Sequence, residues 1–275
     1  MSSGTLETAA TANFVTHATW ASSRTTKARV EATPKLTVVD AGLDTDTFNI
    51  VCAANLSQDE VGPAAQRVVT RFAGVGRPFS WWVCPGDRPL DLAGRLEALG
   101  LLRAESELAM SVTLPLETAE RSALVPGLSV ERARTVEDLA VFARINAENW
   151  EPPDASVEEF YRRSATELVA GESPFRFHVA RLRGRPVAAV EVTLAGGVAG
   201  VYGLSTRSGD RRRGIGSAIL RSALEAAEAE GMATAVLQAA PEGVGLYRRL
   251  GFVDFGVITE LKPPPVVSDK IYYVK

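Results

Sequence analysis

Arg211-Arg212-Arg213-Gly214-Ile215-Gly216 stands between a strand-like run and the most regular amphipathic stretch of the chain. Downstream of it, Ile215, Ile219, Leu220, Ala223, Leu224 and Ala227 recur at helical spacing, with Glu225, Glu228 and Glu230 on the other side. That pattern, with Gly231 at its end, predicts a helix over 215–230. A helix start carries partial positive charge and favours acidic side chains. Here three arginines precede it, with only Asp210 beside them, so the start is electrostatically frustrated without an anion. Gly214 and Gly216 remove side chains that would hold a ligand off the backbone. The N–H groups of the first turn, through Ser217, can then donate to phosphate oxygens. The reading is a pyrophosphate cradle, and the alternative is a solvated basic turn with incidental glycines. A Rossmann glycine turn fits less well, because it follows the first strand of a parallel unit.

What precedes the loop is an antiparallel meander. Residues 175–183, 186–194 and 198–205 read as strands joined by turn signals at Gly184 and Gly196-Gly197. Two helices come before them, one capped by Thr135 with Asp138 and running to about 150, the other capped by Ser156 with Glu159 and running to about 170. After the long helix follow a strand over 233–238, a helix over 241–250 closed by Gly251, and a strand over 252–260. A last strand is expected over 270–274, beyond Pro263-Pro264-Pro265.

The first part of the chain reads βαβαβ. Strands are expected over 47–55, 79–83 and 107–114, and helices after Ser57 and over 89–99. Ser57 and Glu60 form the reciprocal capping pair, and Val61, Ala65, Val68, Val69 and Phe72 carry the helical stripe. Leu96-Glu97-Ala98-Leu99-Gly100-Leu101 and Tyr247-Arg248-Arg249-Leu250-Gly251-Phe252 are the same phrase at matching places, a helix end, a glycine stop and a strand start. A diverged internal repeat is therefore expected. The organisation expected is an N-terminal segment 1–25 of uncertain order, a unit over 26–118, a linker over 119–127 and a second unit over 128–275.

Composition narrows the function. The 275 residues hold 30 basic and 33 acidic side chains, a formal charge of -3. That supplies no general field for nucleic acid or anionic lipid. No apolar run approaches the roughly 18 residues of a membrane span. Cys52 and Cys84 form no short metal-type pair, and His17 and His178 lie far apart, so no metal is expected. The N-terminus lacks the cationic start and apolar centre of a signal peptide, which makes a reducing cytoplasm the plain expectation. His178 is expected at the surface, and Trp81 and Trp82 on opposite faces of their strand.

With the loop, Leu204, Ser205 and Thr206 before it, and Gly245-Leu246-Tyr247-Arg248-Arg249-Leu250-Gly251-Phe252 after it, the stretch 128–275 resembles the GCN5-related N-acetyltransferase (GNAT) superfamily. Its acetyl-coenzyme A loop reads Arg/Gln-x-x-Gly-x-Gly/Ala between the fourth strand and the third helix. One departure is the absence of the family's frequent proline from 207–210. The resemblance implies an α/β fold of α+β type, with a mixed, mostly antiparallel sheet flanked by helices, here duplicated. It implies acetyl-coenzyme A held by Leu204, Ser205, Thr206, Arg211, Arg212, Arg213, Gly214, Ile215, Gly216 and Ser217. Tyr247 is implied as the acid that protonates the leaving thiolate, against the alternative of a packing tyrosine. Glu191 is implied as the base, against a carboxylate on a solvent face. Asn149, Trp150 and Tyr161 are implied near the acceptor pocket. The first unit has Leu96 in place of the tyrosine and no matching loop, so it is expected to be silent. The expected reaction is acetyl transfer to a primary amine of a small molecule or peptide, by a monomer or homodimer. The alternative is an inactive acyl-coenzyme A sensor or scaffold.

Overall fold

The computed structural model describes residues 3–117 and 125–264. The expected strand over 270–274 and most of the expected linker lie outside the described residues. The chain opens with α1 (Ser3–Thr19), followed by β1 (Arg29–Ala32), β2 (Thr37–Asp40) and β3 (Ile50–Cys52). Next come α2 (Gln58–Val75), β4 (Ser80–Val83), α3 (Leu92–Ala98) and β5 (Leu102–Thr113). The second part holds β6 (Leu128–Arg132), α4 (Val136–Ala147), α5 (Ala155–Arg163) and α6 (Ala165–Val169). It continues with β7 (Phe175–Leu182), β8 (Arg185–Ala195), β9 (Val198–Thr206) and α7 (Ile215–Ala229). It ends with β10 (Thr234–Ala239), α8 (Pro241–Arg249) and β11 (Val253–Lys262).

Among the described residues eleven strands form one sheet in the order β1-β2-β3-β4-β11-β5-β10-β9-β8-β7-β6. The expected mixed, mostly antiparallel sheet flanked by helices is what the chain forms. Only β3 with β4 and β9 with β10 run parallel, and each pair is connected through a long helix, α2 or α7. Between these pairs β5 and β11 lie side by side, antiparallel. Each also pairs with the other half of the chain: β5 with β10, and β11 with β4. The two glycine stops fold alike. Leu101 N–H donates to Leu96 O at 3.1 Å, and Phe252 N–H to Tyr247 O at 3.1 Å, with Gly100 at φ 96° and Gly251 at φ 90°. Only a residue at home in the left-handed region ends a helix this way.

Burial follows strand alternation. Val190, Val192, Val201 and Leu237 pack with Ile219 and Leu220 of α7, while Phe177, Val179 and Ala189 pack with Phe142 of α4 and Tyr161 of α5. The first part has its own core, in which Trp81 lies with Phe72, Leu92 and Leu96. Trp82 points the other way, edge-on to Phe14 of α1 at 6.2 Å between ring centroids.

Three local expectations are corrected. The helix expected over 156–170 is two, broken at Ser164, and its cap is Asp154, whose Oδ1 accepts from Ser156 N–H at 2.8 Å. Residues 3–19 form a helix that the opening of the sequence does not announce. His178 is buried at 4% exposure, not at the surface. Its strand lies inside a sheet with helices packed on both faces, so neither side of β7 is left to solvent.

Candidate functional site

The loop before α7 takes a shape that only its glycines and one strained arginine allow. Arg212 has φ 58° and Gly214 φ 78°, both in the left-handed region, so the chain reverses curvature twice before the helix begins. α7 has no side-chain cap and no acidic residue in its first turn. A Cβ on Gly216 would sit 3.3 Å from Leu246 Cδ1 and 3.5 Å from Thr206 Oγ1, so the bare backbone approaches β9 and α8 closely. Asp210 does not serve the helix start. Its carboxylate takes two bonds of 2.9 Å from Arg185 and one of 3.0 Å from Arg213. The Arg185 bond, with the charges of Arg185, Arg213 and Arg207, holds it below the usual carboxylate range. Arg211 donates through Nε to Thr206 O at 2.9 Å. Among the described residues, neither Arg211 nor Arg212 has an acidic partner.

Beside this loop the sheet opens. β10 pairs with β9 only at Ala199, Gly200 and Val201, while β9 continues to Thr206. The backbone of 202–206 therefore has no strand beside it on that side. The pairing of β8 with β9 shifts register between Ala189 and Glu191, and Gly203 in β9 lies at φ 56°. This bulge re-aims the strand next to the opening. Ser205 Oγ receives Asn149 Nδ2 at 2.5 Å and donates to Asn146 Oδ1 at 3.2 Å. Of the expected acceptor residues, Asn149 thus meets the end of β9. Trp150, 43% exposed, follows it in the turn beyond α4.

Tyr247 lies on α8, 9% exposed, with Phe252 edge-on at 5.8 Å between ring centroids. Burial, reinforced by the charge of Glu107, pushes its phenol up to about 12. Glu107 belongs to β5, the strand inserted between β10 and β11. Burial, then the neighbouring carboxylates Glu105, Glu260 and Glu242, raise it to about 7.

Glu191 and Tyr161 come together in the interior. Glu191 is 1% exposed, which removes the solvent-face alternative. Oε1 accepts from Thr193 Oγ1 at 2.9 Å and lies 2.7 Å from His17 Nδ1, and Oε2 accepts from Tyr161 OH at 3.2 Å. Burial and the Glu191 charge keep the phenols of Tyr161 and Tyr202 well above the ordinary tyrosine range. Asn13, His17, Asn146, Tyr202 and Glu107 did not stand out in the sequence. Gly203, inside a run of strand formers, was the one available signal, because a lone strand glycine marks a bulge. Among the described residues there is no group of three metal-ligating side chains, and no helix is long and apolar enough to cross a membrane.

The opening sets uncapped helix donors and arginines, which could meet a pyrophosphate, beside strand backbone unpaired on one side, which could meet an amide-rich arm. No curated protein matches this chain. Among solved structures, a GCN5-related N-acetyltransferase from Kribbella flavida is similar with a TM-score of 0.67 at 22% identity, over 92% of this chain and 95% of that one. One from Sphaerobacter thermophilus gives 0.54 at 16% identity, over 84% and 81%. A region described as a GCN5-related glucosamine N-acetyltransferase, within a fungal multi-domain β-N-acetylglucosaminidase, gives 0.60 at 12%, over 88% of this chain and 33% of that one. The chain therefore has the GNAT fold, and its residues 139–252 match the family described as Acetyltransferase (GNAT) family.

Proposed function

We propose that the protein is an acetyl-coenzyme A-dependent N-acetyltransferase acting on a primary amine. The observation that carries this reading is the uncapped, arginine-flanked start of α7 beside the parted strands β9 and β10. The cosubstrate, when bound, supplies an activated acetyl group and a thiol leaving group. Gly214, Ile215, Gly216 and Ser217 donate backbone N–H groups to its pyrophosphate, and Arg211, Arg212 and Arg213 add charge. The backbone at Leu204, Ser205 and Thr206 holds the thioester oxygen, so that the amine attacks directly and positioning carries most of the rate. Tyr247 gives its proton to the departing sulfur, and its raised affinity for that proton keeps it the acid form until then. Glu191 belongs to the basic side of the reaction, and Asn149 and Trp150 to the acceptor entrance, with Tyr161 behind them.

The chain is further proposed to be a duplication, with a degenerate unit over 26–118, a linker over 119–127 and the active unit over 128–275. The paired glycine stops and the two parallel strand pairs support this. Because β5 and β11 are exchanged, these boundaries mark sequence units, not separable bodies. The reading also places the enzyme in a reducing cytoplasm. Calorimetry with acetyl-coenzyme A is expected to give one molecule per chain, and thiol release against a panel of amines is expected to find an acceptor. Binding without release to any amine would favour the sensor; no binding would overturn the proposal.

A further inference from the structure

The N-terminal helix α1 docks on the face of the sheet that carries Glu191, through contacts that leave no room for a side chain at Gly196 or Gly200 beneath it. Asn13, fully buried, donates from Nδ2 to the carbonyls of Thr193, Ala195 and Val198 at 2.8, 3.0 and 3.0 Å. Its Oδ1 accepts from Tyr202 OH at 2.9 Å. A Cβ on Gly200 would lie 1.9 Å from Asn13 Oδ1, and one on Gly196 would lie 2.6 Å from Ala9 O. The helix is thus held across the β8–β9 hairpin by one polar side chain set into two glycines.

One helical turn further along, on the same side of α1, stands His17. Its ring lies flat on Tyr202, with centroids 3.7 Å apart and planes at 6°. Tyr202 immediately precedes Gly203 at the bulge. Nδ1 of His17 is 2.7 Å from Glu191 Oε1. An imidazole that donates Nδ1–H to a carboxylate carries its lone pair on Nε2. Among the described residues Nε2 has no hydrogen-bond partner. The side chain of Glu191 is 2% exposed and that of His17 21%. The carboxylate is closed off from solvent, and the imidazole is the more exposed member of the pair.

We propose that His17 is the catalytic base of the reaction, taking the proton of the acceptor amine on Nε2, and that Glu191 is its positioning residue. This rests on the acetyl-transfer reading above. The amine nitrogen forms a bond to the thioester carbon as the carbon–sulfur bond breaks. One N–H proton passes to His17 Nε2, the phenol proton of Tyr247 passes to sulfur, and exchange with water restores both groups. The charged and titratable groups facing the imidazole are Glu191 from β8, Tyr202 from β9 and, through Glu191, Tyr161 from α5. The reaction centre then includes a residue far outside the family segment 139–252.

The test uses the full chain. His17→Asn keeps an N–H donor for Glu191 and removes the base. It is expected to lower kcat by about 10²-fold or more, to abolish the acidic limb of the kcat/KM profile, and to leave acetyl-coenzyme A affinity unchanged. Glu191→Gln is expected to move the ring-proton NMR resonance of His17 and to lower kcat by about tenfold or more, with acetyl-coenzyme A affinity unchanged. In the unaltered protein, added coenzyme A is expected to shift the same resonance, a readout that needs no variant and no acceptor. Wild-type turnover with an unchanged pH profile in His17→Asn, or a His17 resonance indifferent to both Glu191→Gln and coenzyme A, would overturn the assignment. Failure of the unaltered chain to bind acetyl-coenzyme A would instead overturn the reading on which it rests.

Discussion

The helices α2 and α7 each connect a pair of parallel strands, and they begin in opposite ways. At α2, Ser57 and Glu60 close a reciprocal capping box, and Asp59 and Glu60 set acidic charge in the first turn. At α7, a left-handed glycine stands where the cap would be, with no acid in the first turn and three arginines before it. The first start satisfies its own donors and complements its own dipole. The second leaves both tasks to something else. Two halves that share element order and the same glycine stop thus differ where a ligand would be bound, and a helix start becomes a binding site only when its own sequence declines to fill it.

The largest effect that tests this contrast lies at the matching stops. Tyr247→Phe should lower turnover by about 10² to 10⁴ while leaving coenzyme affinity and the fold in place. Leu96, its counterpart, is fully buried in the first core and offers nothing to remove. Unchanged turnover in Tyr247→Phe, measured on an accepted amine, would make Tyr247 a packing residue like Leu96.

At the helix starts themselves, Gly216→Asp should weaken acetyl-coenzyme A binding at least about tenfold, or about 1.4 kcal/mol, by calorimetry on a variant shown to be folded. Ser57→Ala should leave that affinity untouched and cost about 1 kcal/mol of stability through the lost cap. The reverse pattern, or a second coenzyme bound near Asp59, would erase the distinction between the halves.

A smaller effect separates the halves by pH. In the first, burial raises Asp87 to about 7 against its hydrogen bonds from the Cys84 and Ala54 backbone. In the second, burial and the Arg132 charge lower His178 to about 4. The Asp87 contribution is fully present below its unfolded value of 3.8 and is lost as pH rises toward 7. The His178 contribution is present above 6.5 and is lost as pH falls toward 4. Between about pH 4 and 6.5 the two oppose each other. His178→Asn should therefore leave a chain that weakens as pH rises, and Asp87→Asn one that weakens as pH falls, by about 1 kcal/mol per pH unit. Denaturant midpoints across that range check the signs.

Much of this contrast was legible in residue order. The capping pair at Ser57, the glycines around Ile215 and the apolar stripe of α7 are local signals, and local hydrogen bonding and side-chain spacing decide them. The strand partners were not legible. A run such as 107–114 announces a strand but carries no record of its neighbours, and here they are β10 and β11 from the far end of the chain. The burial of Glu191 and His178 escaped for a related reason, since alternation names two faces without saying that helices cover both. α1 was hidden because it is held by a few specific contacts, Asn13, Phe14 and His17, in a helix otherwise rich in alanine and threonine.

The exchange of β5 and β11 also sets the order in which the protein can be made. β5 leaves the ribosome with neither of its eventual neighbours yet translated, and both of its edges must wait unpaired until 234–262 have emerged. The first core likewise lacks Leu261, fully buried in the finished protein, until nearly the last described strand is synthesised. Folding is therefore post-translational at its centre and dominated by distant pairings, which makes it slow and leaves sticky strand edges open to other nascent chains. A stop codon just before β11 would take Leu261 from the first core and leave β4 and one edge of β5 without their partner, so truncation there is expected to lower the yield of folded protein.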